Sequence, residues 1–398
     1  MLEKYVILLD HNYPKKKKSL LNNQPNFGVK DLDMARSSLE VISAELSSKQ
    51  IEDLKKDNSQ FISFAPAMPV KLLKPIAKSV PQNNNQLLWN IETVCPERSS
   101  YTGKGIICAV LDTGIDKSSE AFKGITLIEK DFTTEGNGDV IGHGTHCAGI
   151  FFGRTILGQR IGIADGVEKA LIGKVISKEN NDISSILNGI DWSVKNGANV
   201  ISMSLGIDYP GHVEKLTHEY NMPVQLATSR ALYDYRNTIK LFETYFSYLD
   251  AQTKRGSLQN IVMVAAAGNE SRRDLDPNFV INLSPPAVID GIISVSALKK
   301  KGQKLSTAYF SNIGATISAP GVDIASADIN GLTVSMSGTS MAAPHVAGCA
   351  ALWAEKLLEI NSFNRQNLYA HLLTSAKKEN ISDWREVDHG VGLVQTPF

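Results

Sequence analysis

Four short segments carry side chains that could do covalent chemistry together. An apolar run ends in a carboxylate at Ala109-Val-Leu-Asp-Thr-Gly-Ile-Asp116, which puts Asp112 at the carboxyl end of a buried strand. A carboxylate there can accept an imidazole N–H and fix the tautomer; taken alone, Asp112 reads equally well as a cap or turn residue. Asp116 falls past Gly114, in the following loop. Gly142-His-Gly-Thr-His-Cys-Ala-Gly149 offers His143 as a general base among small residues that suit a tightly packed helix start, with His146 as a structural histidine. Val264-Ala-Ala-Ala-Gly-Asn-Glu270 is a strand running into a Gly-Asn turn, and the amide of Asn269 is also a donor for a developing oxyanion. In Met336-Ser-Gly-Thr-Ser-Met-Ala-Ala-Pro-His-Val-Ala-Gly348 a serine, Ser340, opens a helix. That position suits a plain N-cap, yet it also presents a backbone N–H and the helix dipole to an anion. Pro344 marks the start of that helix, and His345 within it is structural.

Other chemistries fit less well. His143 and His146 are spaced to share a metal, but no HExxH pattern or carboxylate accompanies them, so no metal or other cofactor is assigned. Cys95, Cys108, Cys147 and Cys349 lack CxxC spacing and read as reduced thiols. Lys plus Arg number 41 and Asp plus Glu number 41, so charge gives no reason to expect nucleic acid or an anionic membrane as partner. The Lys15–Lys18 run reads as a solvated loop. The first ten residues are not a secretory signal, and no stretch reaches the ~18 apolar residues of a membrane helix. The chain is therefore expected in the cytoplasm, unless a signal was trimmed from it.

The elements that must position these groups alternate. Apolar runs at 105–111, 170–176, 199–204, 261–266 and 291–297 are separated by helical stretches at 182–194, 228–251 and 340–357. Short continuous apolar runs between helices indicate a parallel sheet buried on both faces, a doubly wound α/β domain. Residues 1–76 read as a separate small α+β unit. It has a strand at Tyr5–Leu9, a helix over Ser37–Lys56 with Leu39, Ile42, Leu46, Ile51 and Leu54 on one face, and a strand at Phe61–Phe64. Residues 77–100, with the polar Pro81–Gln86, read as a connecting segment leading into a domain over 101–398.

Together the Asp-Thr-Gly, His-Gly-Thr-His and Gly-Thr-Ser-Met-Ala-Ala-Pro-His segments, in that chain order with the Asn segment before the last, resemble the subtilisin family of serine proteases over about residues 77–398. The resemblance extends to Asn199-Val-Ile-Ser-Met-Ser-Leu-Gly206 and Gly390-Val-Gly-Leu-Val394, and Cys147 beside the histidine is similar to the proteinase K-like and thermitase-like branches. It implies a subtilisin-like α/β fold, with Ser340 as nucleophile, His143 as general base and then acid, Asp112 as its orienter, and Asn269 with the Ser340 N–H as oxyanion hole. It also implies that Ser204, Leu205 and Gly206 line one wall of a substrate groove and Ala266, Ala267 and Gly268 the other. Substrate would pair with these backbones as an added strand. Glu270 falls at the rim of the first specificity pocket, where it would admit a basic side chain. Activity is expected to rise as His143 loses its proton, near ~6.5–7. Many family members bind calcium, but no calcium loop is matched here residue by residue.

The resemblance also makes residues 1–76, with a ferredoxin-like strand–helix–strand order, the counterpart of an inhibitory propeptide: an intramolecular partner cleaved near Ile76–Ala77, beside the unusual Pro75. The alternative is a domain that is never removed. Residues 207–260 exceed the family's length, with a loop and short helix around Pro210, His212 and Pro223, then a longer helix over Leu232–Ala251 striped by Leu241, Phe242, Tyr245, Phe246 and Leu249. Core packing explains that stripe; a lid near the groove is the sharper alternative. An insertion at 207–230 shielding an acyl-enzyme from water would instead mark a peptide ligase or macrocyclase, and a chain without turnover would be a binding module.

Overall fold

The apolar run near the amino end becomes strand β1 (Leu2–Asp10), flanked by antiparallel β2 (Leu39–Ser47) and β3 (Phe61–Pro66) in the order β2-β1-β3. The computed structural model describes residues 2–10, 39–56, 61–73, 75–79, 88–179, 181–329, 331 and 333–398; Lys15–Lys18, Ser37 and Pro81–Gln86 lie outside the described residues. The chain forms two units. One gathers residues 1–70, 180–195 and 207–259; the other holds 71–179, 196–206 and 260–398.

In the first unit the helix expected over Ser37–Lys56 is instead β2 followed by a short helix, α1 (Ser48–Lys56). Ala44 and Leu46 are buried two residues apart, the alternation of a half-buried strand. Ser47 then stops the strand with a capping box. Its backbone N–H donates to Gln50 Oε1 at 2.9 Å, and the Gln50 N–H returns to Ser47 Oγ at 3.4 Å. Leu54 of α1 joins Tyr5, Ile7, Leu9, Ala44 and Leu46 in one small core.

The 207–260 extension belongs to this unit. After β10 (Leu205–Ile207) it forms α5 (Tyr209–His218), capped by Asp208, and α6 (Val224–Lys254), longer than the expected 232–251. The stripe Leu241, Phe242, Tyr245, Phe246 and Leu249 is buried, and α6 packs on β3. His212 falls in the short helix. Its Nε2 lies 3.0 Å from Asp234 Oδ2, while Arg230 donates to both oxygens of Asp234 and to Glu3 of β1 at 2.6 Å. Helix α4 (Ile183–Lys195) completes the unit, its Asp191 accepting from Tyr245 Oη at 3.2 Å.

The second unit begins with β4 (Val70–Leu72), whose Lys71 and Leu72 belong to a two-stranded sheet with β10, and β5 (Ala77–Ser79), which pairs with β16 (Thr333–Ser337). The expected linker 77–100 thus contains a strand and a helix, α2 (Trp89–Val94). The main sheet holds β6 (Ile107–Asp112), β7 (Thr126–Asp131), β8 (Lys169–Lys174), β9 (Val200–Met203), β11 (Val262–Ala266), β12 (Ile292–Lys301), β13 (Lys304–Thr307) and β14 (Ile317–Pro320). Its order is β13-β12-β11-β9-β6-β8-β7, with β14 also on β12; only the β12–β13 pair is antiparallel. The five apolar runs are β6, β8, β9, β11 and β12, so the expected mostly parallel α/β sheet forms. Strand β15 (Ile324–Ala327) pairs with β16. The chain leaves β6, goes to one side for β7 and β8, then returns to the other for β9. Asp112 ends β6 at this switch point, where open α/β sheets place their ligands. Helices α3 (His143–Phe152) and α7 (Thr339–Glu359) pack on each other and on the sheet, and α8 (Arg365–Thr374) and α9 (Glu386–His389) follow.

Asp234, its side chain 2% exposed, joins α6 to α5 through His212 and pairs with Arg230 one turn earlier on α6. Asp234→Ala removes the acceptor from both, and Arg230, one-third exposed, keeps only Glu3. The expected loss is about 1–3 kcal/mol, read as a lower urea midpoint with an unchanged m-value.

Candidate active site

Asp112 and His143 are brought together by two elements far apart in sequence. Asp112 ends β6; His143 is the first residue of α3, after Gly142. The His143 Nδ1–H donates to Asp112 Oδ1 at 2.7 Å, and both side chains are 1% exposed. The same oxygen accepts the Thr113 N–H at 2.7 Å. Asp139, unremarked in the sequence, fixes the start of α3. Its Oδ1 accepts the Ile141 and Gly142 N–H groups at 2.9 and 2.8 Å, and its Oδ2 accepts the Thr145 N–H at 2.9 Å and hydroxyl at 2.7 Å. It thereby satisfies donors that a helix N-terminus leaves without intrahelical partners. Thr113 ties this anchor to β6, donating to Asp139 Oδ1 at 3.0 Å and accepting the Gly144 N–H at 2.8 Å. The imidazole and the carboxylate are thus set by one small network.

The third element is α7. Its Ncap is Gly338, and Ser340 is its second residue; Pro344 lies in the next turn rather than the first. Pro344 has no N–H to offer the carbonyl four residues back, which belongs to Ser340. That carbonyl instead accepts Ser204 Oγ–H at 3.0 Å and Cys147 Sγ–H at 3.4 Å. The proline therefore anchors the Ser340 backbone sideways. Asn269 is held next to it, its Oδ1 accepting the Thr339 N–H at 2.9 Å and hydroxyl at 2.8 Å, which fixes which end of the amide faces Thr339.

The Ser340 hydroxyl donates to the Leu73 carbonyl at 3.2 Å, with the Ser204 carbonyl at 3.5 Å. His143 Nε2 is buried with no hydrogen-bond partner among the described residues. The Asp–His half of the expected relay is therefore formed, and the hydroxyl is turned toward Leu73. Leu73 is 2% exposed, and Gly206 is where its side chain packs: a Cβ there would sit 3.2 Å from Leu73 Cδ2. Downstream, the Ile76 N–H donates to Ser337 O at 2.8 Å, and Ala77 pairs with Ser337. Residues 71–73 and 75–79 thus run past Ser340 as a strap, strand at β4 and again at β5.

The two expected groove walls differ. Ser204, Leu205 and Gly206 lie at or in β10, partner of β4. Ala266, Ala267 and Gly268 sit at the end of β11, but the Ala267 N–H donates to Val295 O and the Gly268 N–H to Thr339 Oγ1. Those N–H groups are committed internally, whereas β10 is paired with β4. Asn312, also missed, braces this turn. Its Oδ1 accepts the Glu270 and Ser271 N–H groups, and its Nδ2 donates to Ala267 O and to Glu270 Oε2 at 2.8 Å. Gly268 has φ +115°, and a Cβ there would lie 2.3 Å from Asn312 Nδ2, so only glycine fits. Glu270 Oε1 faces Lys71 Nζ at 3.3 Å.

His146 and His345 are structural. His146 Nε2 meets the Ile324 and Val334 carbonyls, each at 3.0 Å. His345 Nδ1–H donates to Met341 O and its Nε2 accepts from Asn90; burial pushes its pKa down to about 4. All four cysteines are free. Cys147 Sγ lies 3.8 Å from His143 Nδ1, and burial pushes its thiol up. Asp112, His143 and Cys147 bring one ligand atom each within 4.8 Å of one another. The thiol, however, is a protonated donor, and the carboxylate is engaged by the imidazole, so the set suits hydrogen bonding rather than a thiolate metal site. No described helix is long and apolar enough to cross a membrane.

Burial pushes the His143 imidazolium down, but the adjacent Asp112 carboxylate more than offsets it, holding His143 well above the ordinary histidine value. The expected titration near 6.5–7 is corrected upward. Because the folded value is raised, the pair's stabilisation is complete below the unfolded value of about 6.5 and is lost as pH rises through the higher folded value.

The subtilase family model matches residues 103–392. The thermostable alkaline protease of Halalkalibacterium halodurans is 29% identical over 320 residues, covering 78% of this chain and 72% of that protein. Among solved structures, fervidolysin from Fervidobacterium pennivorans, described as a keratinolytic enzyme related to subtilisin, has a TM-score of 0.66 at 21% identity. It covers 99% of this chain, which spans 60% of the fervidolysin chain. A cold adapted subtilisin-like serine proteinase has a TM-score of 0.54 at 25% identity, covering 78% of this chain and 97% of that one.

Titrating His143 by NMR should give a midpoint above 6.5. In Asp112→Ala the carboxylate that offsets burial is gone, and the midpoint should fall below that of the wild type. A wild-type midpoint at or under 6.5 would contradict the balance described here.

Proposed function

The chain belongs to the subtilase family and is a serine endopeptidase, and from that premise we propose that Ser340 is its nucleophile, His143 its general base and Asp112 the orienter of His143. The Ser340 hydroxyl gives its proton to His143 Nε2 as Oγ bonds to the substrate carbonyl carbon. The oxyanion receives hydrogen bonds from Asn269 Nδ2 and the Ser340 N–H at the start of α7. Collapse breaks the C–N bond, and His143 returns the proton to the departing amine. Water, activated by the same imidazole, then hydrolyses the acyl-enzyme. The proposed sequence runs on side chains and backbone alone, with no metal or other cofactor.

We further propose that the N-terminal unit is an intramolecular inhibitor and that residues 71–73 lie in the groove as a substrate does. The observation that carries this reading is the Leu73 carbonyl at 3.2 Å from the Ser340 hydroxyl, with the Leu73 side chain buried beside Gly206. It moves the proposed cut from Ile76–Ala77 to Leu73–Lys74, so that Pro75 no longer borders the broken bond. The proposed acyl acceptor is water. The 207–230 insertion, the feature that would have marked a ligase, packs within the first unit, where its Arg230 pairs with Glu3. Four free thiols suit a reducing compartment, which supports the proposed cytoplasmic location.

Purified wild-type protein should yield, by intact mass, a fragment ending at Leu73, while Ser340→Ala stays a single chain and no longer reacts with a fluorophosphonate. Asn269→Ala should lower turnover by about 10²–10³, the magnitude known for the equivalent donor of a subtilisin. Turnover should reach half its plateau above pH 6.5, once His143 loses its proton. Fluorophosphonate labelling of Ser340→Ala at wild-type level would remove the nucleophile assignment.

A further inference from the structure

Glu270 faces the strap at a residue other than the one presented to Ser340. Leu73 lies two residues after Lys71, one past the end of β4; its side chain is buried against Gly206, and Lys71 reaches Glu270 Oε1 at 3.3 Å. The carboxylate is held for this contact from within. Asn312, fully buried, donates to Glu270 Oε2 at 2.8 Å and has its own amide oxygen fixed by the Glu270 and Ser271 N–H groups. One carboxylate oxygen is thus tied to the protein interior, and the other is left toward the strap. Leu73 belongs to the main apolar core cluster.

We propose that Glu270 is a specificity determinant that selects a basic side chain two residues before the scissile residue, with an apolar residue of leucine size at the scissile position itself. The inference rests on reading residues 71–73 as lying in the groove as substrate does. It replaces the sequence-based expectation that Glu270 admits a basic residue at the cleavage position. The recognised chemistry is an ammonium or guanidinium on an extended segment, paired with a carboxylate about one-third exposed.

The test uses the full-length chain, incubated until it turns over a general protein substrate. Internally quenched peptides carry the sequence of residues 68–79 with Lys, Arg, Ala or Glu at the place of Lys71, and cut positions are read by mass. With wild-type protein, Lys and Arg peptides should exceed the Ala peptide in kcat/KM by about two- to fivefold, the range of a part-exposed ion pair. The preference should shrink in 1 M salt. Glu270→Gln should bring the ratio near one, and Glu270→Lys should favour the Glu peptide. Within the chain, Lys71→Glu should slow the appearance of the fragment ending at residue 73, and Lys71→Glu combined with Glu270→Lys should restore it. Cutting after the leucine with no Lys-over-Ala preference, or with a preference that survives Glu270→Gln, overturns the role of Glu270 and leaves the register of the strap intact. Cutting at another bond in every peptide overturns the register and the inference with it.

Discussion

A carboxylate and an imidazole taken out of water together are the constraint around which the second unit is built. Burying either charge alone costs several kcal/mol; the 2.7 Å contact between Asp112 and His143, with the Thr113 N–H on the same oxygen, offsets that only while both backbones hold still. The surrounding structure supplies that stillness. Strand β6 is hydrogen-bonded to a parallel neighbour on each side. The start of α3 is gripped by Asp139, which also receives the hydroxyl of Thr113, the residue after Asp112. Rotation of the helix start would break these bonds together.

The serine is placed by a different device. Gly338 begins α7, Thr339 locks the amide of Asn269, and Pro344 releases the Ser340 carbonyl to Ser204 and Cys147. Cys147 lies one turn after His143, so its thiol joins the helix carrying the base to the residue carrying the hydroxyl. This gives a physical account of a cysteine beside the histidine that involves neither metal nor thiol chemistry. Turned toward the Leu73 carbonyl, the hydroxyl leaves His143 Nε2 without a bond among the described residues.

The central strands, and the segments carrying Asp112, His143, Asn269 and Ser340, were legible because apolar runs and small-residue motifs are local signals. What escaped was non-local. Asp139 and Asn312 are ordinary polar residues in loops, and their importance comes from the N–H groups that tertiary structure brings to them. The stretch 37–56 showed helical spacing, yet Val41 and Ile42 favour a strand. The Ser47–Gln50 capping box shows where the helix begins, and pairing with β1 decides the rest. His212 stood between two prolines, in a stretch read as a loop with a short helix, but its partner Asp234 is on another helix. The unit boundary near Val70 was hidden because the extension that joins the N-terminal sheet lies more than a hundred residues downstream.

That extension changes what a single backbone break would mean. The N-terminal strands pack against α6 and share the Glu3–Arg230 pair with it, and α4 approaches β2. All of these partners lie far beyond Leu73 in the chain. Scission after Leu73 removes one covalent tether but none of this buried surface. The result is a nicked two-piece assembly whose smaller piece has its docking site carried by the larger. Escape of that piece would be governed by how readily strand and helix part, a dissociation step separable in time from the cut itself.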